Sequence, residues 1–284
     1  MYNLGQGVEQ DYAEMAKWYQ LAAEQGHTDI HAQFALGVKY HLGQGVEQDY
    51  AKAVKWYRLA GEGGHAEAQN NLASIYKYGQ GTEQDYAEAV KWYGLAADQG
   101  HAEAQCSLGT MYFDGEGACP QDFVQAAKWW RLAAGQGHAE AQWSLGTMYV
   151  NGKGFPESAI EAGKWYHLAA EQGHAEAQFS LGTMYFDGSG IPESAAEAEK
   201  WLLLAVEQGH AGAQDRLNEM YAPGKDVPPD YVDPKPIEGG GSGLQSKSPD
   251  THDSKAVDDD LKIHLKELKT LHEEGMIDDD EYKS

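Results

Sequence analysis

The chain has 284 residues, with 45 Asp and Glu against 21 Lys and Arg, which gives a formal net charge of −24. No apolar run approaches the ~18 residues that a membrane-spanning helix needs, and no basic block of the kind that attracts nucleic acid or anionic membranes occurs. Two cysteines are too few for a disulfide framework or a four-cysteine zinc site. Composition excludes these classes and leaves an excess of 34 Gly, 8 Trp and 17 Tyr to be explained.

Tryptophan recurs in steps of 36 to 38 residues, and a Gly-His pair begins eight residues after each of these tryptophans. Regular spacing over this distance is typical of repeat proteins. Met1–Gln10 aligns with Lys39–Gln48, so the chain begins within a repeat, and we expect further repeats upstream of Met1 in a longer protein. The six tryptophans are Trp18, Trp56, Trp92, Trp129, Trp165 and Trp201.

Each repeat is predicted to begin with a helix, helix A, whose N-cap lies seven residues before the tryptophan. An acid or amide three residues after the cap completes a predicted capping box in five of the six repeats. Alanine and aromatic residues at helical spacing predict a closely packed stripe, and the glycine of the Gly-His pair ends the helix. The predicted N-caps are Asp11, Asp49, Asp85, Asp122, Ser158 and Ser194.

A second helix, helix B, follows with the pattern A-E-A-Q-x-x-L-G-x-M-Y, for example from Ala102 to Tyr112, and ends at a glycine pair. Such helical pairs bury their faces only against neighbouring pairs. The sequence therefore predicts an all-α protein, an α/α solenoid in which helix-turn-helix repeats form a right-handed superhelix with a concave surface. The histidines of the Gly-His pairs are predicted to bond backbone in the turn, because stacked repeats hold them about 10 Å apart, too far for shared metal ligation.

The whole pattern A-x-x-W-Y-x-L-A-A-E-Q-G-H-A-E-A-Q-x-x-L-G-x-M-Y-x-x-G-x-G resembles the Sel-one-like repeat family, relatives of the tetratricopeptide repeats, and it covers residues 1–221 in about six copies, the first incomplete. The resemblance implies a scaffold or adaptor in bacterial signalling, envelope or host-interaction complexes. The compartment is left open between the bacterial cytoplasm and, if a signal peptide precedes this chain, the periplasm or the cell exterior.

The composition changes after Tyr221. Residues 222–256 are rich in Pro, Gly and Ser and predict a linker, stiff at first and flexible afterwards. Residues 257–284 predict a short helical hairpin, with Leu261, Leu265 and Leu268 at helical spacing. This segment resembles the short C-terminal (SHOCT) domain, and the resemblance implies self-association.

Candidate contacts for a partner are the positions at which the repeats differ, because a binding face is free to vary from repeat to repeat. In helix B, the position after the glutamine is aromatic in three repeats and polar or cysteine in the others, which fits either anchors for a bound segment or local variation in the core. In helix A, the variable position lies two residues after the tryptophan. The candidates are Phe34, Trp143 and Phe179 in helix B, and Arg58, Arg131 and His167 in helix A.

Cys106 and Cys119 lie 13 residues apart in one repeat, and they are a candidate disulfide in an oxidising compartment. No catalytic or cofactor-binding motif is evident, so we predict no cofactor and no enzymatic activity. The leading hypothesis is a scaffold that holds a helix or extended segment of another protein on its concave face, and the total charge favours a basic or neutral ligand. The alternatives are an envelope hydrolase of the β-lactamase type and a purely architectural oligomer.

Overall fold

The computed structural model describes residue 21, residues 29–117 and residues 119–222. Eleven α-helices and no strand occur in these ranges. The predicted N-cap Asp11, the linker 222–256 beyond its first residue and the C-terminal segment 257–284 lie outside the described residues. The helices are α1 (Ile30–Leu42), α2 (Tyr50–Glu62), α3 (Ala66–Tyr78), α4 (Tyr86–Ala97), α5 (Ala102–Asp114), α6 (Phe123–Gly135), α7 (Ala139–Asn151), α8 (Ala159–Glu171), α9 (Ala175–Asp187), α10 (Ala195–Glu207) and α11 (Ala211–Met220).

The even-numbered helices correspond to helix A and the odd-numbered helices to helix B. Each helix packs against the helices next to it in the chain, and each helix B meets the following helix A more extensively than the helix A before it. The described residues thus form the predicted all-α, α/α solenoid, in which burial depends on neighbouring pairs. We call the contact between a helix B and the next helical pair a unit junction.

The predicted N-caps of helix A are confirmed wherever they are described. The Asp85 side chain, for example, accepts hydrogen bonds from the backbone N–H groups of Ala87 and Glu88, which satisfies donors that the first turn would otherwise leave unpaired. The predicted reciprocal half of the capping box is wrong where Glu88 stands. Its carboxylate binds Lys91 and the indole N–H of Trp92 instead, because the Asp85 N–H already donates to the Tyr76 carbonyl at 3.0 Å.

The turn from helix A to helix B forms as the Gly-His pairs predict. Gly100 has a φ of +83°, a left-handed conformation that favours glycine. The ring Nδ1 of His101 then accepts a hydrogen bond from the Ala104 N–H at 3.2 Å, so the histidine is the N-cap of helix B. The same cap occurs at His65, His138, His174 and His210.

The core consists of alanine and aromatic side chains, mostly from helix A, together with leucine, isoleucine and methionine, mostly from helix B. The residue after the tryptophan of helix A is the deepest aromatic position, and Tyr57 is 1% exposed there. It packs where helix B has a glycine: a Cβ on Gly37 would lie 2.5 Å from the Tyr57 ring. The tryptophans of the repeat are buried in α2, α4 and α10 and half-buried in α6 and α8.

Candidate binding surface

The solvent-exposed side of each helix A from α2 to α10 carries an apolar residue. The leucine three residues after the tryptophan lies on the side of the helix away from Ala53, Tyr57 and Ala60, which are buried. It is 38% exposed at Leu59, and the values at the equivalent positions in α4 and α8 are 43% and 45%. In α6 and α10 it is half-buried. We call this set the leucine row: Leu59, Leu95, Leu132, Leu168 and Leu204.

Charged residues border the leucine row on both sides. A lysine lies four residues before each leucine, and an acidic residue lies three residues after it in four of the five helices, so both are on the same helix face as the leucine. All of these side chains are exposed. The lysines are Lys55, Lys91, Lys128, Lys164 and Lys200, and the acids are Glu62, Asp98, Glu171 and Glu207.

The three helix A candidates predicted from sequence lie beside this row and rest on aromatic rings. The guanidinium of Arg58 donates to Tyr76 Oη and lies 5.8 Å from that ring's centre. The Arg131 guanidinium lies 4.5 Å from the centre of the Phe155 ring. His167 contacts a tryptophan of the next pair edge-on, with ring centres 5.7 Å apart. All three are half-buried, so one side of each group remains accessible.

The three helix B candidates lie instead at the unit junctions. Phe34 and Phe179 each stack on the N-cap histidine of the following pair, with ring centres 4.4 Å apart. Trp143 stacks on His174, the N-cap histidine of the following pair, with ring centres 5.6 Å apart. Each aromatic is half-buried, and part of each ring face is occupied by the repeat itself. A role as a partner anchor stays a prediction for these three residues.

The N-cap histidines also link one pair to the next. Because Nδ1 of His138 accepts a backbone N–H, the neutral ring carries its proton on Nε2, which donates to Glu103 at 3.0 Å. His174 binds Glu140 in the same way at 2.9 Å. These hydrogen bonds lower the pKa of Glu103 and of Glu140 below the ordinary carboxyl value, against the opposing effect of partial burial.

A second link between pairs is a ladder of glutamines. Gln105 donates to the Ala97 carbonyl, and its own side-chain oxygen accepts from Gln136 of the next pair at 2.8 Å. The same glutamine-to-glutamine bond, at 2.7 Å, occurs at three other junctions. The ladder consists of Gln99 with Gln69, Gln136 with Gln105, Gln172 with Gln142 and Gln208 with Gln178.

The first described junction departs from both patterns. His31 stands where later repeats have an acid, so the ring of His65 faces another imidazole with centres 5.2 Å apart. Gly63 stands where later repeats have the donating glutamine, and the side-chain oxygen of Gln33 is buried without a hydrogen-bond partner. Burial, together with the nearby His31, lowers the pKa of His65, although Glu67 opposes this effect.

We expect the His31→Glu variant to resist acid better than the wild type. A histidine whose pKa is lowered in the folded state stabilises the protein above its unfolded pKa of ~6.5, and this stability is lost as the pH falls below that value. A carboxylate at position 31 would favour the protonated ring of His65 and reverse the sign of this effect. Urea unfolding at pH 7.5 and pH 5.5 measures it, and an equal pH dependence in both proteins would contradict it.

Cys106 and Cys119 are both buried free thiols. Burial raises the pKa of the Cys106 thiol to about 12, and it also raises the pKa of Cys119. Cys106 lies within α5, whereas Cys119 lies in the loop before α6, where it hydrogen-bonds with Tyr112. The disulfide between the two cysteines stays a prediction.

Both cysteines are expected to react slowly with iodoacetamide in the folded protein, because only the thiolate is nucleophilic and burial disfavours it. We expect alkylation at neutral pH to be at least ~10-fold slower than in urea, the factor that one pKa unit gives in thiolate population. Mass spectrometry of the non-reduced protein serves as the control, since a mass lower by two hydrogens would reveal the disulfide. Equal rates in the folded and unfolded protein would contradict the prediction.

The leucine row is the part of this surface that the sequence analysis missed. The signal was present: the leucine of W-Y-x-L-A-A recurs in every copy but lies about 120° around the helix from the buried Ala-Trp-Tyr-Ala side. The sequence analysis took its candidates only from positions at which the repeats differ, and this leucine is the same in every copy. The exposure of this leucine to solvent in the structure identifies it as a surface residue and not a core residue.

The helices formed by residue 21 and by residues 29–117 and 119–222 are each too short or too polar to span a lipid bilayer. Within the same residues, no group of three or more His, Cys, Asp or Glu side chains is placed to hold a metal ion.

Two of the solved structures that resemble the chain are of bacterial proteins. One is a protective antigen of uropathogenic Escherichia coli strains that displays an SLR fold, with 38% identity and a TM-score of 0.73; the match covers 77% of this chain and 46% of the antigen, so the chain spans about half of the antigen's length. The other is a Sel1 repeat protein from Oxalobacter formigenes, with 32% identity, a TM-score of 0.66, and 78% and 94% covered. No curated protein matches.

The description "Sel1 repeat" matches seven consecutive segments, residues 1–27, 30–65, 66–101, 102–138, 139–174, 175–210 and 211–232. Each complete segment runs from the start of a helix B to the Gly-His pair after the next helix A, so each segment contains one unit junction and its boundaries fall in the turns from helix A to helix B. The match includes the described solenoid from end to end, and the chain belongs to the Sel1 repeat family.

Proposed function

We propose that this chain is an interaction scaffold that holds an amphipathic helix of a partner protein along the leucine row. Sel1 repeat proteins are generally protein-interaction scaffolds, and the proposal concerns which face binds. The observation that carries it is the exposure of Leu59, Leu95 and Leu168 at one repeated position, at 38%, 43% and 45%. Exposed apolar surface that continues along a face and is rimmed by polar side chains is typical of an interaction site.

The spacing of the row favours a helix as the ligand. Equivalent residues in stacked pairs lie about 10 Å apart, and two turns of a helix advance about 10.8 Å. A helix with a leucine or aromatic side chain every seven residues would therefore place one anchor near each leucine of the row. The lysines and acids on either side supply the rim of such a contact.

The proposed complex is bacterial, in an envelope or signalling assembly, since both similar structures are of bacterial proteins and one is an antigen. Proteins with the Sel1 repeat are typically non-enzymatic. Self-association through the segment 257–284 is a separate proposal. Removal of residues 222–284 and measurement of the mass in solution would test it, because an unchanged mass excludes a role for the tail.

The scaffold proposal is tested with a photo-crosslinking residue placed at Leu95 or at Leu168 in the full chain. We expect one partner protein to crosslink from both positions, and the purified partner to lose at least ~10-fold in affinity for the Leu95→Lys/Leu168→Lys variant, as is usual for loss of two interface anchors. Val124, which is 67% exposed at the start of α6, provides the control variant Val124→Lys. Unchanged binding by the double variant would reject the leucine row as the site.

A further inference from the structure

Six lysine and arginine side chains among the described residues form ion pairs with Asp or Glu. The ion pairs on the described residues are Lys52 with Asp49, Lys77 with Glu116, Lys91 with Glu88, Lys164 with Glu161, Lys200 with Glu197, and Arg216 with Asp187 and Glu219. A basic side chain without such a partner keeps its charge available to a ligand.

Four basic side chains on the leucine row's face have no carboxylate within 4.0 Å in the described part of the chain. Lys55 and Arg58 lie three residues apart on α2, and Lys128 and Arg131 repeat that arrangement on α6. We call them the basic positions. The other three A helices differ, because each pairs its lysine with a glutamate three residues earlier and has no arginine at the second position.

Aromatic rings hold the basic positions in place. The Lys55 and Lys128 ammonium groups each lie 5.6 Å from the centre of the adjacent tryptophan ring, and Arg131 lies 4.5 Å from that of Phe155. A ring face attracts the cation without accepting its N–H groups in plane. The donors that point to solvent remain available to an oxygen acceptor, and the side chains lose less freedom on binding because they are already placed.

The local charge is opposite to the charge of the whole chain. Helix α2 (Tyr50–Glu62) contains Lys52, Lys55 and Arg58 against Glu62, and α6 (Phe123–Gly135) contains two basic residues and no acid. The other acidic residues are spread along the solenoid, and salt screens their charges beyond a Debye length of about 8 Å. Within a contact, the nearest charges decide which ligand fits.

We propose that the helix bound on the leucine row is acidic at two places, where it crosses α2 and α6. This inference rests on the proposed function and names the partner's chemistry, in contrast to the basic or neutral ligand that the total charge favours. The two helices belong to alternate pairs, about 20 Å apart at one helix-packing distance per pair. At about 1.5 Å per residue, that distance places the carboxylates about 14 residues apart on the partner.

Two designed peptides test the proposal with the full chain. Both have a leucine stripe at heptad spacing and differ only in carrying two glutamates or two lysines about 14 residues apart beside the stripe. We expect fluorescence anisotropy to show that the glutamate peptide binds the wild type at least ~10-fold more tightly, and that Arg58→Glu/Arg131→Glu reverses this preference. The matched control is Lys91→Glu/Lys164→Glu, which changes the net charge equally but alters lysines that already have a glutamate partner.

The outcomes separate the two proposals. Equal or tighter binding of the lysine peptide, or binding of neither peptide, overturns the acidic ligand, and so does a control variant that reverses the preference as strongly as the arginine variant. None of these results bears on whether a natural partner crosslinks from Leu95 and Leu168. Conversely, if no partner crosslinks from Leu95 and Leu168, the leucine row is rejected as the binding surface.

Discussion

We expect the Gly146→Val variant to lose about 2–3 kcal/mol of unfolding free energy. A Cβ on Gly146 would lie 2.6 Å from the Tyr166 ring and 3.2 Å from the Ala162 carbonyl oxygen. Tyr166 is 5% exposed, so its ring cannot move away without opening the junction between α7 and α8. Overpacking of this kind costs about 1–3 kcal/mol, and valine adds two methyl groups beyond the Cβ.

Gly94→Ala is the matched control for the glycine prediction. Gly94 also lies within a helix, but an added Cβ there meets nothing within 4 Å. Alanine is favoured over glycine in a helix by about 0.5–1 kcal/mol, so we expect this variant to be more stable than the wild type. Urea unfolding followed by circular dichroism measures both. A Gly146→Val protein as stable as the wild type would show that the junction adapts more easily than its geometry indicates.

The repeat made most of the fold predictable from sequence. Six copies of one pattern average out local ambiguity, so the N-cap at Asp85, the turn at Gly100 and the helix B that starts at Ala102 could be placed to the residue. Comparison of the repeats does not predict which hydrogen-bond partner each polar side chain has. The Glu88 carboxylate was predicted to bond the Asp85 N–H, but the Tyr76 carbonyl occupies that donor, a contact that depends on how the preceding helix B ends.

The candidate site was harder to predict because variation between copies has two causes. At Arg58 and Arg131 the variable side chain is half-exposed on helix A, as expected for a binding face. At Phe34 and Phe179 the variation accompanies stacking on a histidine of the next pair. Sequence position alone does not separate these cases, since both depend on which neighbour covers the residue. The leucine row was missed for the converse reason, because only positions that differ between the repeats were considered as candidates and the leucine is the same in each.

The double variant Ile30→Ala/Gly63→Gln is expected to stabilise the protein by about 1 kcal/mol, whereas Gly63→Gln alone should not. Glutamine at position 63 would supply the donor that the buried oxygen of Gln33 lacks, and an unsatisfied buried acceptor costs about 1–3 kcal/mol. A Cβ on Gly63, however, would lie 2.5 Å from Cγ2 of Ile30. The other described repeats have alanine at the position of Ile30.

The two substitutions should therefore be coupled. The Ile30→Ala substitution makes room for the new side chain, but as a single variant it loses some apolar burial. The Gly63→Gln substitution as a single variant is strained, because Ile30 still occupies the space. A double-mutant cycle in urea isolates the interaction, which we expect to be at least ~1 kcal/mol, above the ~0.3–0.5 kcal/mol within which independent sites add. Additive effects would mean that a glutamine introduced at position 63 does not reach Gln33, and that the first junction differs from the later ones by more than the residues at positions 30 and 63.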